Sequence, residues 1–548
     1  MPAVVDRAAF VGARPIWLLD LELAGRTFRL SSEPVVVASD DGALSYDGGL
    51  AQVDYEESID RLDSALSEAS ASVECFLPID VAALIGAGHP PAGGAAALAM
   101  VTWRGGVVLQ TWELRLRVLA GRVQSPRWGD PTRALGWFAC TVREEAWDDV
   151  ATVIPAALRI TTTAIAEAQA ADVGKAYPYP IGRPGRSEES DGTEIVVDGS
   201  PAYVYATDGL GNVNKLLVAA YPVVAANVYI RKNGGTFGNC PISHVTDLLG
   251  RIVAVADTSA VVVTRPLDAD YWACWGVEDL FPNADGAMRN PWAAGELRGA
   301  GDVIRWALSL GHVPIDHGRW AAVSPWLNRF RIATYLNDVE QMPWGFVADD
   351  LLPILPVALR RGPDGIYPVL LDLDARRADA VFIITEGPDF RQVGELTEEG
   401  DIGDIVNEVS ISFAPDGDGE YRRVLTLTAT PDPDDADEVA DPYAQLSAAR
   451  YGVVQTSQVS TDVVYEPLTA HLVAAWLLRS RAFLSRSVDY LADVSWGIVQ
   501  VGDLMQMSHA SAGMTGRLGL VIGRRWDGFA WQFRILYDEE AWREPRTP

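Results

Sequence analysis

A β-rich α+β fold spread over several domains is what this sequence predicts, on three observations. Short apolar segments alternate with polar residues at a period of two. Gly, Asp, Asn and Pro punctuate those segments at short intervals. Only a few stretches carry helical periodicity. At about 150 residues per domain, the 548 residues correspond to roughly three to four domains.

The elements follow in chain order. Ile16 to Leu23, Ala24-Gly25, then Arg26 to Leu30 read as strand, tight turn, strand. Val35-Val36-Val37 and Val73 to Leu77 continue the pattern, and the Ala-rich stretch 80–100 between later strands suits a short helix. Val107 to Val118, a turn at Ala120-Gly121, and Arg122-Val123 predict a long hairpin. The first region is therefore expected to be a β-barrel or sandwich with one helix.

The segment Ala176-Tyr177-Pro178-Tyr179-Pro180-Ile181-Gly182-Arg183-Pro184-Gly185 cannot be helix and marks a boundary, continued by the loop Glu188 to Gly192. Short strands at Ile195–Val197, Tyr203–Tyr205, Leu216–Ala219, Val228–Ile230, Ile252–Val255 and Val261–Val263 predict a small all-β domain. Val303, Ile304, Ala307, Leu308 and Leu310 share a helical face, and a helix from Trp344 is expected to end before Pro353. A hairpin pairs Val406–Phe413 with Arg422–Thr428 around Pro415 to Gly419. Pro467 opens the strongest helix, with a stripe of Leu468, Leu472, Val473, Trp476 and Leu477. Strands at Val494–Val501, Gly516–Gly523 and Phe529–Tyr537 close the chain, with a turn at Asp527-Gly528. The expected domains are 1–165, a first β-barrel; 166–290, accessory and β-rich; 291–404, a mixed α/β region contributing to a second barrel; and 405–548, the C-terminal part of that barrel with the long helix.

Composition narrows the function. With 44 Lys+Arg against 74 Asp+Glu, the net charge is -30. Wrapping nucleic acid needs a basic surface and is disfavoured. A conduit for DNA is compatible, because an acidic wall repels the phosphate backbone; a merely soluble acidic surface is the other reading. Cys75, Cys140, Cys240 and Cys274 form no C-x-x-C pair and read as reduced thiols. Residues Met1 to Asp6 lack a signal-peptide pattern, and no stretch reaches the ~18 apolar residues of a membrane helix.

Catalytic motifs are missing: the sequence has no H-E-x-x-H, Walker A or G-x-S-x-G. His312 and His317 lie five apart across Pro314, which is no helical ligand pair. Cys240 and His244 lie four apart, and a buried thiol with a turn His is favoured over a nucleophile and base. Asp416-Gly417-Asp418-Gly419-Glu420 is part of a calcium-loop pattern and reads as a hairpin tip. Asp432, Asp434, Asp435, Asp437 and Glu438 read as a solvated loop. The 18 Trp suit core and subunit interfaces, with sugar platforms as the alternative. No catalytic, cofactor or metal residue is assigned.

Three stretches resemble the hub proteins at the tail tip of long-tailed phages and gene-transfer particles. The first is Ile160-Thr161-Thr162-Thr163 with Tyr177 to Gly182. The second is Pro343-Trp344-Gly345-Phe346 through Leu351 to Pro356 and on to Asp364-Gly365-Ile366-Tyr367-Pro368. The third is Asn407 to Ile411, Ala448-Ala449-Arg450-Tyr451-Gly452, the long helix, Gly502-Asp503-Leu504-Met505 and the final hairpin. The resemblance covers about two thirds of the chain and matches least well over 194–285. It implies two tail-tube-like β-barrels per chain, each with a packed helix, plus accessory β and α/β domains. It implies a homotrimeric ring that joins a six-fold tube to three-fold tip components. Partners would be distal tail or tail-tube proteins, the tape measure protein, and tip fibre or spike proteins. DNA would pass without specific binding, no cofactor would be held, and the location would be the virion tail tip or baseplate, assembled in the host bacterial cytoplasm. The rivals are a tail-associated cell-wall or glycan hydrolase and a carbohydrate-binding receptor module.

Overall fold

In a computed structural model of the chain, the structure describes residues 13–59, 67–144 (without 131 and 135), 159–188, 194–275 (without 209, 234, 260, 262–265 and 268), 288–310, 314–336, 345–372 (without 363), 382–385, 390–392, 397–399, 402–416, 419–452, 454–509 and 514–537. The expectations for Met1 to Asp6, residues 189–192, 262–263, His312, 343–344 and 417–418 lie outside them. The chain is β-rich, with several sheets and one closed barrel, and it divides into two compact units. One unit holds 1–149, 357–400 and 484–548; the other holds 150–356 and 401–483.

The first unit opens with β1 (Arg14–Leu23) and β2 (Arg26–Ser31), paired with Leu23 opposite Arg26. Ala24 and Gly25 both adopt positive φ, 52° and 71°, as a two-residue hairpin turn of matching twist requires. Next come β3 (Val35–Ser39), β4 (Gly42–Gly48), β5 (Leu50–Ile59), β6 (Ser67–Phe76), helix α1 (Val81–Gly86), β7 (Ala95–Arg104), β8 (Val107–Val108), β9 (Leu116–Trp128) and β10 (Trp137–Arg143). Hydrogen-bonded neighbours run β2-β1-β7-β9-β10-β6-β5.

Among the described residues the C-terminal strands join that order through one pairing. β5 pairs antiparallel with the strand Met514–Trp526, setting Glu57 opposite Arg524 and Tyr55 opposite Trp526. Met514–Trp526 also pairs with Leu504–His509 and with Trp531–Tyr537, which pairs with Ser485–Ala492. The resulting sheet holds 17 described strands. Alternation sends Trp17, Leu19, Leu21, Val53, Tyr55, Val73, Phe138, Val488, Phe533 and Ile535 into one shared core. There Trp17, Trp526 and Trp531 pack edge to face and tilted, with ring centres 5.2–6.3 Å apart.

Three expectations for this unit are corrected. Ala120-Gly121 is no turn: β9 runs straight through, and a Cβ on Gly121 would lie 2.0 Å from the Arg143 carbonyl oxygen, so the close approach of β10 requires glycine. The chain instead turns at Gly105-Gly106 and makes an arm between β8 and β9. Helix covers only Val81–Gly86 of the Ala-rich stretch, while Ala95 to Met100 is strand, because its small side chains fit between β1 and β9. Val494–Ile498 is a 3-10 turn opened by Asp493, whose carboxylate accepts from the Ser495 amide.

In the second unit the 194–285 region contains a closed six-stranded barrel, ordered Ser200–Thr207, Val213–Ala219, Ile252–Asp257, Gly235–Thr246, Asn227–Lys232 and Tyr271–Cys274. Leu216, Val218, Ile230, Cys240, Ala256 and Trp275 fill its interior. Leu217, Val253 and Val255 point outward and are covered by Ile160, Ile165 and Tyr177. Two helices follow, α2 (Ala300–Leu310) and α3 (His317–Leu327), the latter capped by Asp316. The backbone at Phe346–Leu351 forms a π-helical turn, followed by a 3-10 turn containing Pro353.

The predicted hairpin forms between Glu408–Pro415 and Tyr421–Thr428 and carries the helix Pro467–Arg481 on one side. That helix is buried through Thr469, Ala470, Val473, Ala474, Leu477 and Leu478, whereas Leu468 of the predicted stripe is 66% exposed. No described helix is long and apolar enough to cross a membrane.

Candidate assembly surface and the seam behind it

The pairing of β5 with Met514–Trp526 is the seam at which N-terminal and C-terminal strands become one sheet. Val53, Tyr55, Glu57 and Ile59 all point inward. The alternation of β5 therefore forces an acid into the core, and Arg524 faces it at the same register position. Glu57, Arg524 and Arg360 are 1%, 2% and 4% exposed.

The Arg524 Nε donates to Glu57 Oε2 at 2.7 Å, and Arg360, from the strand Val357–Gly362, pairs with Glu57 Oε1. Tyr55 donates to Glu57 Oε2 at 2.7 Å and accepts from Arg524 at 3.0 Å. Arg524 also donates to the Val499 carbonyl, and Arg360 donates to Gln500 Oε1 and Tyr367 Oη. Burial alone would push the Glu57 carboxyl up, but Arg360 and Arg524 outweigh it and hold it below the usual range. Desolvation offsets much of the attraction in such a group, and the observed alignment of the two strands is the one that sets Glu57 opposite Arg524.

The other side of this sheet is polar. Asp54 and Glu56 are exposed on β5, Arg122 and Arg127 on β9, and Arg525 and Arg534 on the C-terminal strands. The face therefore carries both signs of charge.

The arm between β8 and β9 folds over β3. The Trp112 amide donates to the Ala38 carbonyl at 2.7 Å, and Glu113 accepts from Ser39 Oγ and the Asp40 amide. Arg115 stacks on Trp112 with its guanidinium 3.3 Å from the ring centre. Beneath the arm lies a cleft of about 240 Å³ lined by Leu18, Asp20, Tyr46, Ala99, Arg115 and Leu119. Tyr46 donates to Asp20 at 2.9 Å, and burial raises the Asp20 carboxyl above its usual value. Around the arm Val36, Val107 and Leu114 are exposed by 60%, 62% and 72%.

The residues singled out by sequence sit apart. Cys240 and His244 share the strand Gly235–Thr246, but Cys240 faces the barrel interior while His244 is exposed and accepts from the Val223 amide. Burial pushes the thiols of Cys75, Cys140 and Cys240 up to about 12, which holds them protonated. His317 Nδ1 contacts Arg305 of α2. Asp416 pairs with Arg422 and lies 3.5 Å from Arg231, inside an ionic group that includes Asp198. Asp432 and Asp435 cap their own turn. Among the described residues no three His, Cys, Asp or Glu side chains are grouped to hold a metal. Trp275, Trp320 and Trp531 are fully buried, while Trp128 is 38% exposed. Reasoning from motifs missed Glu57, Arg360 and Arg524; the available signal was a charge at an inward position of an alternating strand.

No protein-family model and no curated protein matches the chain. Among solved structures it is similar to a tail protein from Neisseria meningitidis MC58, at 9% identity and TM-score 0.37, covering 96% of this chain and 98% of that one. It is similar to the 43 kDa tail protein of prophage MuSo2 from Shewanella oneidensis, at 8% identity and TM-score 0.37, covering 96% and 99%. It is also similar to prophage tail protein gp18 from Listeria monocytogenes EGD-e, at 7% identity and TM-score 0.29, covering 93% and 95%.

Proposed function

We propose that this chain is a structural hub of a phage-like tail tip or baseplate. Three copies close into a ring that joins a six-fold tail tube to three-fold tip components, in the virion. The observation that carries this reading is the seam. It makes one sheet of two strand sets, β1 to β10 and the C-terminal strands 485–537, and these are the candidates for two tube-like barrels per chain. Two such barrels in each of three subunits give six positions around an axis, which matches a six-fold tube. The hub pattern in the sequence points the same way. The net charge of -30 suits a wall along which DNA slides without binding. Tube, tape measure and tip fibre or spike proteins are the partners of that position.

A hydrolase needs two carboxylates across a cleft. The cleft beneath the arm is lined by one acid, Asp20, together with Tyr46, Trp112, Arg115, Arg117 and apolar residues.

Cryo-EM of assembled tails, with native mass measurement of the purified chain, tests the proposal. The expected result is three copies per tail and a mass three times the 59.2 kDa subunit. One copy per particle, or a basic bore, overturns it.

A further inference from the structure

The strand registers place a second acid on the inward row that crosses the seam. The Glu144 amide donates to the Ala69 carbonyl, one step beyond the pairing of Arg143 with Ser70. Ala69 is the register partner of Glu57, and Glu57 of Arg524. Cross-strand neighbours point to the same side of a sheet, so the row reads Glu144, Ala69, Glu57, Arg524.

The small side chain of Ala69 leaves the two acids facing each other across β6. Glu144 Oε2 is shut off from solvent and has no hydrogen-bond partner among the described residues. The charged groups around it come from three elements: Glu57 of β5, Arg524 of Met514–Trp526, and Arg360 and Arg361 of Val357–Gly362. Tyr55 and Tyr367 complete the hydrogen-bonded cluster. Glu57 already takes both guanidiniums, one on each oxygen.

We propose that the Glu144 carboxyl is a proton-controlled latch on the seam: neutral, it leaves the pairing of β5 with Met514–Trp526 closed, and ionised, it loosens that pairing. Ionised Glu144 would place a second anion beside Glu57, with its Oε2 shut off from water and without a hydrogen-bond donor among the described residues, and opening the seam would let water reach that oxygen. Burial first, then the charge of Glu57, push this carboxyl up to about 8 from the ordinary 4.5, against the pull of the three arginines. The closed seam thus holds a proton that the opened chain releases. Opening becomes easier by about tenfold for each pH unit between those two values and levels off above them. The direction is opposite to that of Glu57, whose depressed value weakens the seam only in acid.

Hydrogen exchange of the full chain, read on peptides covering 56–58 and 523–525 from pH 5.5 to 8.5 and corrected for the intrinsic exchange rate, tests the latch. Wild type is expected to open about 50-fold more readily at pH 8 than at pH 6, and Glu144→Gln is expected to be flat. Parallel curves for the two overturn the proposal. If the amide does not fold, Glu144→Ala takes its place under the same criterion. If neither variant folds, wild-type opening that does not change between pH 6 and 8 overturns it, and a tenfold rise per unit supports it.

Discussion

The seam of the first unit and the barrel of the second solve the same problem in opposite ways. Both are antiparallel β-structure with a filled interior. The barrel closes on itself, so none of its strands presents an open edge along the ring, and its interior of Leu216, Val218, Ile230, Ala256 and Trp275 is apolar. The first unit joins strand sets that lie hundreds of residues apart, and at their junction it buries Glu57, Arg360 and Arg524. Closure supplies the barrel's register geometrically. An open junction between distant segments has no short turn to set its register, and a buried charge pair that fits one alignment provides it.

The largest expected effect separates register from stability. Glu57→Ala leaves two buried guanidiniums without their carboxylate and is expected to cost about 3–5 kcal/mol by chemical denaturation. Replacing the group together, with Glu57→Leu, Arg360→Met and Arg524→Met, is expected to change stability by less than the single variant. Should the triple variant be as unstable as Glu57→Ala, the ionic group is a net source of stability, and the contrast with the barrel fails.

A cavity in the barrel comes next. Leu216→Ala is expected to cost about 2–5 kcal/mol by the same measurement. Its effect on hydrogen exchange should fall on the barrel strands and leave residues 56–58 unchanged, because the two units have separate cores. Loss of protection at 56–58 would show that the units unfold together.

The smallest effect concerns a local helix cap that belongs to neither the seam nor the barrel. Asp441 accepts from the amides of Tyr443 and Ala444 at the start of the helix Pro442–Tyr451. Asp441→Ala is expected to cost about 1 kcal/mol, read as a small drop in the denaturation midpoint with neither seam nor barrel exchange altered.

Much of the fold was legible because its signals are local. The β1–β2 hairpin needed only alternation and Ala24-Gly25, and the hairpin of Glu408–Pro415 with Tyr421–Thr428 was equally plain. The helix Pro467–Arg481 was legible in extent and in Val473, Trp476 and Leu477 of its apolar stripe, which are buried, but not in Leu468, which is exposed, since the hairpin it packs on is chosen by the tertiary fold. The Ala-rich run at 95–100 was misleading for the same reason: small residues suit a helix, but they also suit a strand held between two others. Gly121 read as a turn residue because sequence shows glycine's freedom and not the neighbouring carbonyl that demands it.

The seam was the least legible part. Glu57, Glu144, Arg360 and Arg524 carry no shared motif, and 467 residues separate Glu57 from Arg524. By itself the sequence determined a β-rich chain, an acidic composition and four cysteines outside any C-x-x-C pair. These follow from composition and from period-two alternation, which act over a few residues at a time. Only the tertiary structure decided that the N-terminal and C-terminal strands share one sheet and that Glu144, Glu57 and Arg524 fall on one row of it, where Arg360 reaches Glu57 from another strand. Strand pairing between distant segments is selected by the whole core, and no local stretch of sequence contains that information.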